Sequence, residues 1–336
     1  HITMSWYENS GQDDATVLFT QVSLHRNLEK YPFSSCLDAK GANEMITAVG
    51  GLLTNNGFHV LNFADISPAN AVSYVESFEA STSFVRSNTP HALALNQPCN
   101  LSVMLCEEDH LIIQCIQPGL NTEGAYANVR KVEEIVDHSY PIAYDKDFGY
   151  LTQNPAMHGT GMQITAILFL PLLHAENEVE SICRRIAPGL CLTPFYRENG
   201  LYALSTAMAV GQTEETMQKL VTDTVTQLKN TEAGLLSRLM SQGDRKEELI
   251  ARVLRARALA TGSYLLTEAE FLHLCADLRL GVCAGIIKDI PAQALTALLI
   301  NCMPAHLYLG TQDPPKTERE RDRLRAQTAA RALTAG

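Results

Sequence analysis

Acidic side chains cluster at residues 107–110, which read Glu-Glu-Asp-His. The segment before them, residues 101–105, has Leu, Val and Leu at every second position, which is the period-two pattern of a strand. Carboxylates at the end of a strand can orient a cationic group and take up its proton. The alternative is that they only solvate the strand end and accept hydrogen bonds there.

A second group with chemical potential lies near the C-terminus, where Asp322 stands between Arg321 and Arg325. The two arginines are four residues apart, so in a helix both guanidinium groups lie on one face and can bracket a phosphoryl dianion. Asp322 adds a carboxylate that can pair with a cationic group. The alternative is an exposed helix whose charged side chains only keep it soluble.

Helical periodicity and capping signals predict the elements that position these groups. Thr213 is a good N-cap, and apolar residues follow it at helical spacing up to Leu228. Residues 241–244, Ser-Gln-Gly-Asp, interrupt that pattern and predict a domain boundary. Beyond it, three pairs have capping-box spacing: Asp244 with Glu247, Thr267 with Glu270, and Thr317 with Glu320. Gly281 is expected to end the middle helix, since glycine tolerates a positive φ there.

Composition limits the possible classes of function. The 336 residues predict two or three domains, and a net charge of −11 argues against a nucleic-acid partner, because phosphate contacts need a basic surface. The nine cysteines include no Cys-x-x-Cys pair, which predicts a reduced, cytoplasmic protein without a zinc site. The longest apolar run, residues 164–173, is short and contains a proline, so no membrane span is expected.

Six segments, taken together and in this order, resemble motifs of the bacterial protein-arginine kinases, a branch of the ATP:guanido phosphotransferases. They are Asp14–Asn27, Glu107–Leu120, Phe148–Thr152, Gly159–Met162, Asp277–Gly281 and Arg321–Ala326. The resemblance covers nearly the whole chain. It implies an α/β (α+β) fold, in which an antiparallel sheet flanked by helices precedes a C-terminal helical domain. We assign residues 4–242 to a guanidino-phosphotransferase-like domain and residues 243–336 to a helical domain for dimerisation and phosphoarginine binding.

The same resemblance marks five positions at which the family places arginines around the phosphates of ATP. Here they are Gln21, Ser23, Ile112, Gln163 and Thr193, all of them neutral. A charge-assisted hydrogen bond to phosphate contributes about 1.5–3 kcal/mol, so loss of the whole cage is expected to remove productive ATP binding. Two nearby arginines are expected to compensate only in part, namely Arg26 and Arg197.

On the acidic side, the resemblance gives Glu108 the role of orienting the substrate guanidinium and accepting its proton, with Glu107 and Asp109 flanking it. Because the arginine cage is missing, we interpret this catalytic role as vestigial. His110 and Cys115 are expected to be structural. No metal ligand and no cofactor are predicted for an inactive protein.

The motif Arg-Asp-x-x-Arg-Ala, at residues 321–326 here, forms a phosphoarginine pocket near a dimer interface in the family. The resemblance therefore makes Arg321, Asp322 and Arg325 the predicted phosphoarginine-binding residues. A pocket that offers both charges would discriminate phosphoarginine from phosphate or arginine alone.

Three functions remain open at this point. The leading one is a catalytically inactive homologue that binds phosphoarginine or arginine-phosphorylated proteins in protein quality control. It would act as a homodimer or as a heterodimer with an active arginine kinase. The second is a divergent active kinase that uses Glu108 to transfer the γ-phosphoryl group of Mg-ATP to protein arginine. The third is a dimerisation partner whose pockets are all vestigial.

Overall fold

A computed structural model describes residues 5–97, 100–196 and 199–334. The strands are β1 Val17–Arg26, β2 His59–Asn62, β3 Ala92–Leu95, β4 Leu101–Leu105, β5 Leu111–Pro118, β6 Tyr144–Asp145, β7 Gly149–Tyr150, β8 Met162–Phe169, β9 Leu190–Tyr196 and β10 Leu201–Thr206. Eight of them form one sheet in the order β2-β3-β4-β5-β1-β8-β10-β9, while β6 and β7 form a separate ribbon. Every neighbouring pair in the large sheet is antiparallel, which confirms the predicted fold class.

Helices flank this sheet on both faces. They are α1 Ala39–Asn55, α2 Pro68–Glu76, α3 Thr82–Val85, α4 Thr122–Ser139, α5 Pro171–Ala175, α6 Val179–Ile186, α7 Glu214–Met240, α8 Gly243–Gly262, α9 Glu268–Cys283, α10 Ala292–Asn301, α11 Pro304–Leu309 and α12 Glu318–Thr334. One apolar cluster joins one face of the sheet to α1, α4 and α7, and another joins the opposite face to the C-terminal helices. In the described ranges, no helix is both long and apolar enough to cross a membrane.

Alternation along β1 explains how this strand serves both faces of the sheet. Val22 and Leu24 are fully buried in the cluster that includes α4. Gln21, Ser23 and His25 point to the opposite side, where they line a cleft. The C-terminal helices pack on the same face of the sheet as the cleft. They cover this face only in part, and the cleft lies beside them.

The junction between α7 and α8 lies where the sequence predicts an interruption. The Thr213 hydroxyl accepts a hydrogen bond from the backbone N–H of Thr216 at 3.1 Å, so α7 begins as predicted. It ends at Met240, and α8 starts at Gly243 after a turn of two residues. The division into domains at residue 242 stays a prediction, since the helices beyond it share an apolar cluster with the sheet.

Two of the three predicted capping boxes are confirmed, those of Thr267 and Thr317 with the glutamates three residues on. The one at Asp244 is wrong. The turn after α7 is so short that α8 has already begun at Gly243, which places Asp244 in its first turn. There its carboxylate still favours the positive end of the helix dipole.

The prediction that Gly281 ends the middle helix is also wrong. Helix α9 continues to Cys283, and the residue with positive φ is Gly285, at +70°. Gly281 lies within α9 because α8 approaches closely there: an added Cβ would stand 2.5 Å from Cγ1 of Val253. The glycine therefore serves helix packing and not termination.

Candidate functional site

A cleft of about 610 Å³ opens on the face of the sheet that carries Gln21 and Ser23. Its polar lining is Gln21, Ser23, His25, Glu76, Ser81, Thr82, Glu107, Glu108, Gln114 and Gln163. Antiparallel register sets its floor, because Ser23 stands opposite Gln114 on β5 and Gln163 on β8. Its rim is formed by the connection between α2 and α3, and by Met303 from the C-terminal helical region.

Four of the five positions assigned to the phosphate cage meet in this cleft: Gln21, Ser23, Ile112 and Gln163. The fifth, Thr193, is exposed on β9, the edge strand, where it pairs with Ala203. It does not line the cleft, whereas Phe195 on the same strand does. The structure thus brings together the positions on β1, β5 and β8 and leaves Thr193 outside.

No lysine or arginine lines the cleft within the ranges that the structure describes. The expected compensation by Arg26 is wrong, because its side chain is fully buried on the opposite face of the sheet. There its Nε lies 2.5 Å from Oε1 of Glu133, and its Nη1 donates to the carbonyl oxygen of Thr160 at 2.9 Å. Alternation along β1 explains the difference, since Arg26 follows the cleft residue His25. Arg197 lies outside the described residues.

Two glutamines of the cleft floor hold the loop between α2 and α3. Gln21 Nε2 donates to the carbonyl oxygen of Phe78 at 3.2 Å, and Gln114 Nε2 donates to the same oxygen at 2.8 Å. Gln114 also donates to the carbonyl of Glu79 at 2.9 Å. Phe78 has a φ of +64°, so these bonds hold a residue with an unfavourable backbone conformation. Gln21, at a position assigned to a phosphate-binding arginine, therefore fixes a loop in this structure.

Glu79 lies buried in this loop, and burial raises its pKa from 4.5 to about 7 although the Ser77 hydroxyl donates to its Oε2 at 2.7 Å. The folded protein binds the proton more tightly than the unfolded chain. The contribution of Glu79 to the free energy of unfolding is therefore fully present below pH 4.5, and it is lost as the pH rises through about 7. We expect Glu79→Gln to remove this decline, which amounts to at most about 3 kcal/mol.

The measurement is urea unfolding at several pH values between 4.5 and 8. The variant Glu44→Gln, which changes an exposed carboxylate on α1, should retain the decline of the unmodified protein. An unchanged pH dependence in Glu79→Gln would show that another group causes it.

The acidic run forms the hairpin between β4 and β5, closed by a hydrogen bond from the Cys106 N–H to the His110 carbonyl oxygen at 2.8 Å. Glu107 accepts hydrogen bonds from the hydroxyls of Ser81 and Ser83, at 3.1 and 2.5 Å. Glu108 is exposed at the cleft, and its carboxylate has no hydrogen-bond partner among the described residues. Partial burial and the negative charges of Asp109 and Glu107 raise the pKa of Glu108.

Asp109 is fully buried and is saturated with donors. It accepts hydrogen bonds from His25 Nδ1 at 3.1 Å, Asn27 Nδ2 at 2.6 Å and the backbone N–H of Gln153 at 2.7 Å. Burial alone would raise the pKa of Asp109, but these hydrogen bonds outweigh it and hold the pKa below its ordinary value. Asp109 therefore orients His25, a cleft residue that the sequence analysis did not identify.

His110 is buried and has a fixed structural role. Its Nδ1 accepts a hydrogen bond from the backbone N–H of Leu28 at 2.9 Å, so its Nε2 carries the proton and donates to the Pro32 carbonyl at 2.7 Å. Burial lowers its pKa and favours this neutral form. A second cavity, of about 510 Å³, shares Glu107 and Glu108 with the cleft, and four serines are among its other lining residues.

The three residues predicted to bind phosphoarginine lie on α12. Arg325 is buried and donates to the carbonyl oxygens of Leu266 and Cys302, at 2.9 and 3.3 Å, and to Asp322 Oδ1 at 2.7 Å. Arg321 is half-buried, and its guanidinium has no partner among the described residues. Two of the three residues thus already pair with each other.

Among the described residues, no group of three His, Cys, Asp or Glu side chains is placed to hold a metal ion.

The fold resembles that of solved guanidino kinases. Lombricine kinase superposes with a TM-score of 0.60 at 16% identity, over 67% of this chain and 68% of its own. The duplicated taurocyamine kinase from Schistosoma mansoni gives a TM-score of 0.58 at 19% identity, over 70% of this chain and 36% of its own. The model of the ATP:guanido phosphotransferase C-terminal catalytic domain matches residues 41–235. The chain belongs to the ATP:guanido phosphotransferase family.

Within that family its relatives are protein-arginine kinases. The model of the protein-arginine kinase McsB C-terminal domain matches residues 246–335. The protein-arginine kinase of Clostridium kluyveri is 30% identical over 310 residues, which cover 89% of each chain. That of Clostridium tetani is 26% identical over 337 residues, which cover 98% of each. The resemblance to the protein-arginine kinases is thereby confirmed.

Proposed function

We propose that this chain is a catalytically inactive protein-arginine kinase homologue that acts as a phosphoarginine-binding, regulatory partner in protein quality control. It would work in the cytoplasm as a homodimer or as a heterodimer with an active arginine kinase. Its ligands would be phosphoarginine or arginine-phosphorylated proteins, and it would need no cofactor.

The charge of the cleft lining supports the first part of this proposal, namely that the chain is catalytically inactive. Mg-ATP needs cationic groups that hold its phosphates and neutralise charge during transfer. The described cleft residues include no lysine or arginine, and they include the carboxylates of Glu76, Glu107 and Glu108. Residues of this charge do not fit a triphosphate.

A divergent active kinase is the second candidate, and the position of Glu108 favours it. This carboxylate remains at the cleft without a partner among the described residues, beside a histidine oriented by Asp109. Such an enzyme would have to bring phosphate-binding cations from outside the described cleft lining. Stabilisation by Mg-ATP in a thermal unfolding experiment would separate this candidate from the first, because a ligand of the native state raises its stability.

Binding of phosphoarginine to α12 would proceed by exchange of partners. The ligand carries a phosphoryl dianion and a guanidinium, which are the charges that Asp322 and Arg325 now present to each other. Asp322 would turn to the ligand guanidinium, while Arg325 and the unpaired Arg321 would hold the phosphoryl group. The exchange leaves no buried charge unpaired, which keeps its cost low.

We expect Arg321→Ala to weaken phosphoarginine binding by about 1.5–3 kcal/mol, or roughly ten- to hundredfold. Asp322→Ala should weaken phosphoarginine but leave inorganic phosphate nearly unchanged. Calorimetric titration with phosphoarginine, with inorganic phosphate and with Mg-ATP measures the affinity for each of the three ligands. Arg323→Ala is the matched control, because that exposed arginine on the same helix lies over the ring of Tyr264.

Equal losses for phosphoarginine and phosphate in Asp322→Ala would mean that the aspartate only braces Arg325. Absence of phosphoarginine binding at millimolar concentration would favour the purely structural dimerisation partner.

A further inference from the structure

Three arginines are buried in the described ranges, and they differ in how their charge is balanced. Arg26 pairs with Glu133 at 2.5 Å, and Arg325 pairs with Asp322 at 2.7 Å. Arg279 on α9 is only 4% exposed, and it makes no ion pair with a carboxylate of the described chain. A buried cation without a counter-charge costs free energy that a bound anion would offset.

The hydrogen-bond partners of Arg279 are all neutral. Its four bonds, of 2.7–3.3 Å, go to three backbone carbonyl groups and one hydroxyl, those of Asp14, Ala15, Ala292 and Thr296. Burial lowers the pKa of Arg279, and the negative charge of the Asp14 side chain offsets this only in part. Two neighbouring thiols, of Cys275 and Cys283, stay neutral because burial raises their pKa. The guanidinium therefore lacks a full counter-charge within the described protein.

A small cavity of about 20 Å³ lies beside Arg279, where α9 and α10 pack on the sheet. Its walls are mostly apolar, and none of its described lining residues is acidic. Asn199, which also lines it, accepts a hydrogen bond from the Leu201 N–H through its Oδ1 at 3.3 Å. The Nδ2 of Asn199 and the Nε of Arg279 make no hydrogen bond within the described ranges. Two donors are thus available to a ligand of this cavity.

The size of the cavity limits the ligand to a single small ion or one water molecule. A water molecule could accept both hydrogen bonds, but it would leave the charge of Arg279 uncompensated. A monatomic anion accepts the bonds and balances the charge, and it packs against apolar walls without further polar groups. A carboxylate or phosphate ligand has too many atoms for this space.

We propose that this cavity binds one chloride ion, held by the guanidinium of Arg279 and the amide of Asn199, at the contact between the sheet and the C-terminal helices. The ion would hold the helical region against the sheet, because a ligand that binds only the folded chain stabilises it. The inference goes beyond the proposed function, since it involves neither the cleft nor the phosphoarginine-binding residues of α12.

The test is chloride binding by the full chain, measured as broadening of the chlorine NMR signal at constant ionic strength. Gluconate serves as the other anion because it is too large for the cavity. Ala276→Leu fills the cavity and keeps Arg279, so it should abolish the specific broadening. Asn199→Leu should weaken chloride binding at least about tenfold, as the loss of one charge-assisted hydrogen bond predicts. Ala258→Leu, at an exposed position of α8, is the matched control and should retain the broadening.

Thermal unfolding gives a second readout. Replacing gluconate by chloride should raise the unfolding temperature of the unmodified protein and of Ala258→Leu more than that of Ala276→Leu. A crystal of the unmodified protein grown with bromide tests the site without any variant, and its anomalous signal should lie beside Arg279. Equal broadening in the unmodified protein and in Ala276→Leu would overturn the inference, and so would bromide bound only at the exposed surface. Neither readout involves phosphoarginine or Mg-ATP, so failure here leaves the proposed function standing.

Discussion

Incubated with Mg-ATP and an arginine-containing protein, this chain is expected to transfer no measurable phosphate. A single arginine that stabilises the transition state of phosphoryl transfer contributes about 10³–10⁵ in rate, and four assigned positions inside the cleft have none. Transfer should therefore fall below about one-thousandth of the rate of an active relative. The glutamate that would orient the substrate is present, but Glu108 cannot replace charge neutralisation of the phosphates.

The measurement is transfer of labelled phosphate to protein arginine, with the protein-arginine kinase of Clostridium kluyveri as the positive control. A variant with arginine at all five assigned positions should begin to regain binding of Mg-ATP, since each guanidinium supplies a bidentate donor. Transfer by the unmodified protein that disappears in Glu108→Gln would contradict the pseudoenzyme proposal and support the divergent kinase.

Much of the cleft floor follows from local patterns in the sequence. Gln21 and Ser23 are two residues apart, so on a strand they share a face, and β5 and β8 lie on either side of that strand. Alternation also separates Arg26 from these two residues, so its position on β1 already places it on the opposite face. The capping boxes at Thr267 and Thr317 are local in the same sense, because both partners lie within four residues.

Contacts between residues far apart in the sequence determine the roles of several side chains that local patterns do not predict. The spacing of Arg321 and Arg325 predicts a shared helical face, but only the packed structure places Arg325 against the carbonyl groups of Leu266 and Cys302. The role of Gly281 also depends on a long-range contact, because the close approach of α8 requires a residue without a side chain there. His25 has no local signal at all, because its partner Asp109 lies 84 residues away along the chain.

The variant Glu133→Gln is expected to lower the free energy of unfolding by about 3–5 kcal/mol, the usual cost of removing one partner from a buried ion pair. Glu133 and Arg26 are both buried, their closest charged atoms lie 2.5 Å apart, and the Arg26 guanidinium stacks 3.5 Å from the ring centroid of Tyr150. Without the carboxylate, Arg26 would remain as a buried cation. Arg130, which also pairs with Glu133, is partly exposed and can be solvated by water.

Urea unfolding followed by the fluorescence of Trp6 measures the change, because this buried side chain is the only tryptophan of the sequence. Glu134→Gln is the matched control: it is the next residue on α4, is exposed, and approaches Arg130 only to 4.0 Å, so its effect should stay within about 0.5 kcal/mol. Combining Arg26→Met with Glu133→Leu should recover most of the loss, since apolar replacement of both partners leaves no buried charge unpaired. Equal shifts in Glu133→Gln and Glu134→Gln would show that water reaches Arg26, and that the pair does not fix the strand beneath the cleft.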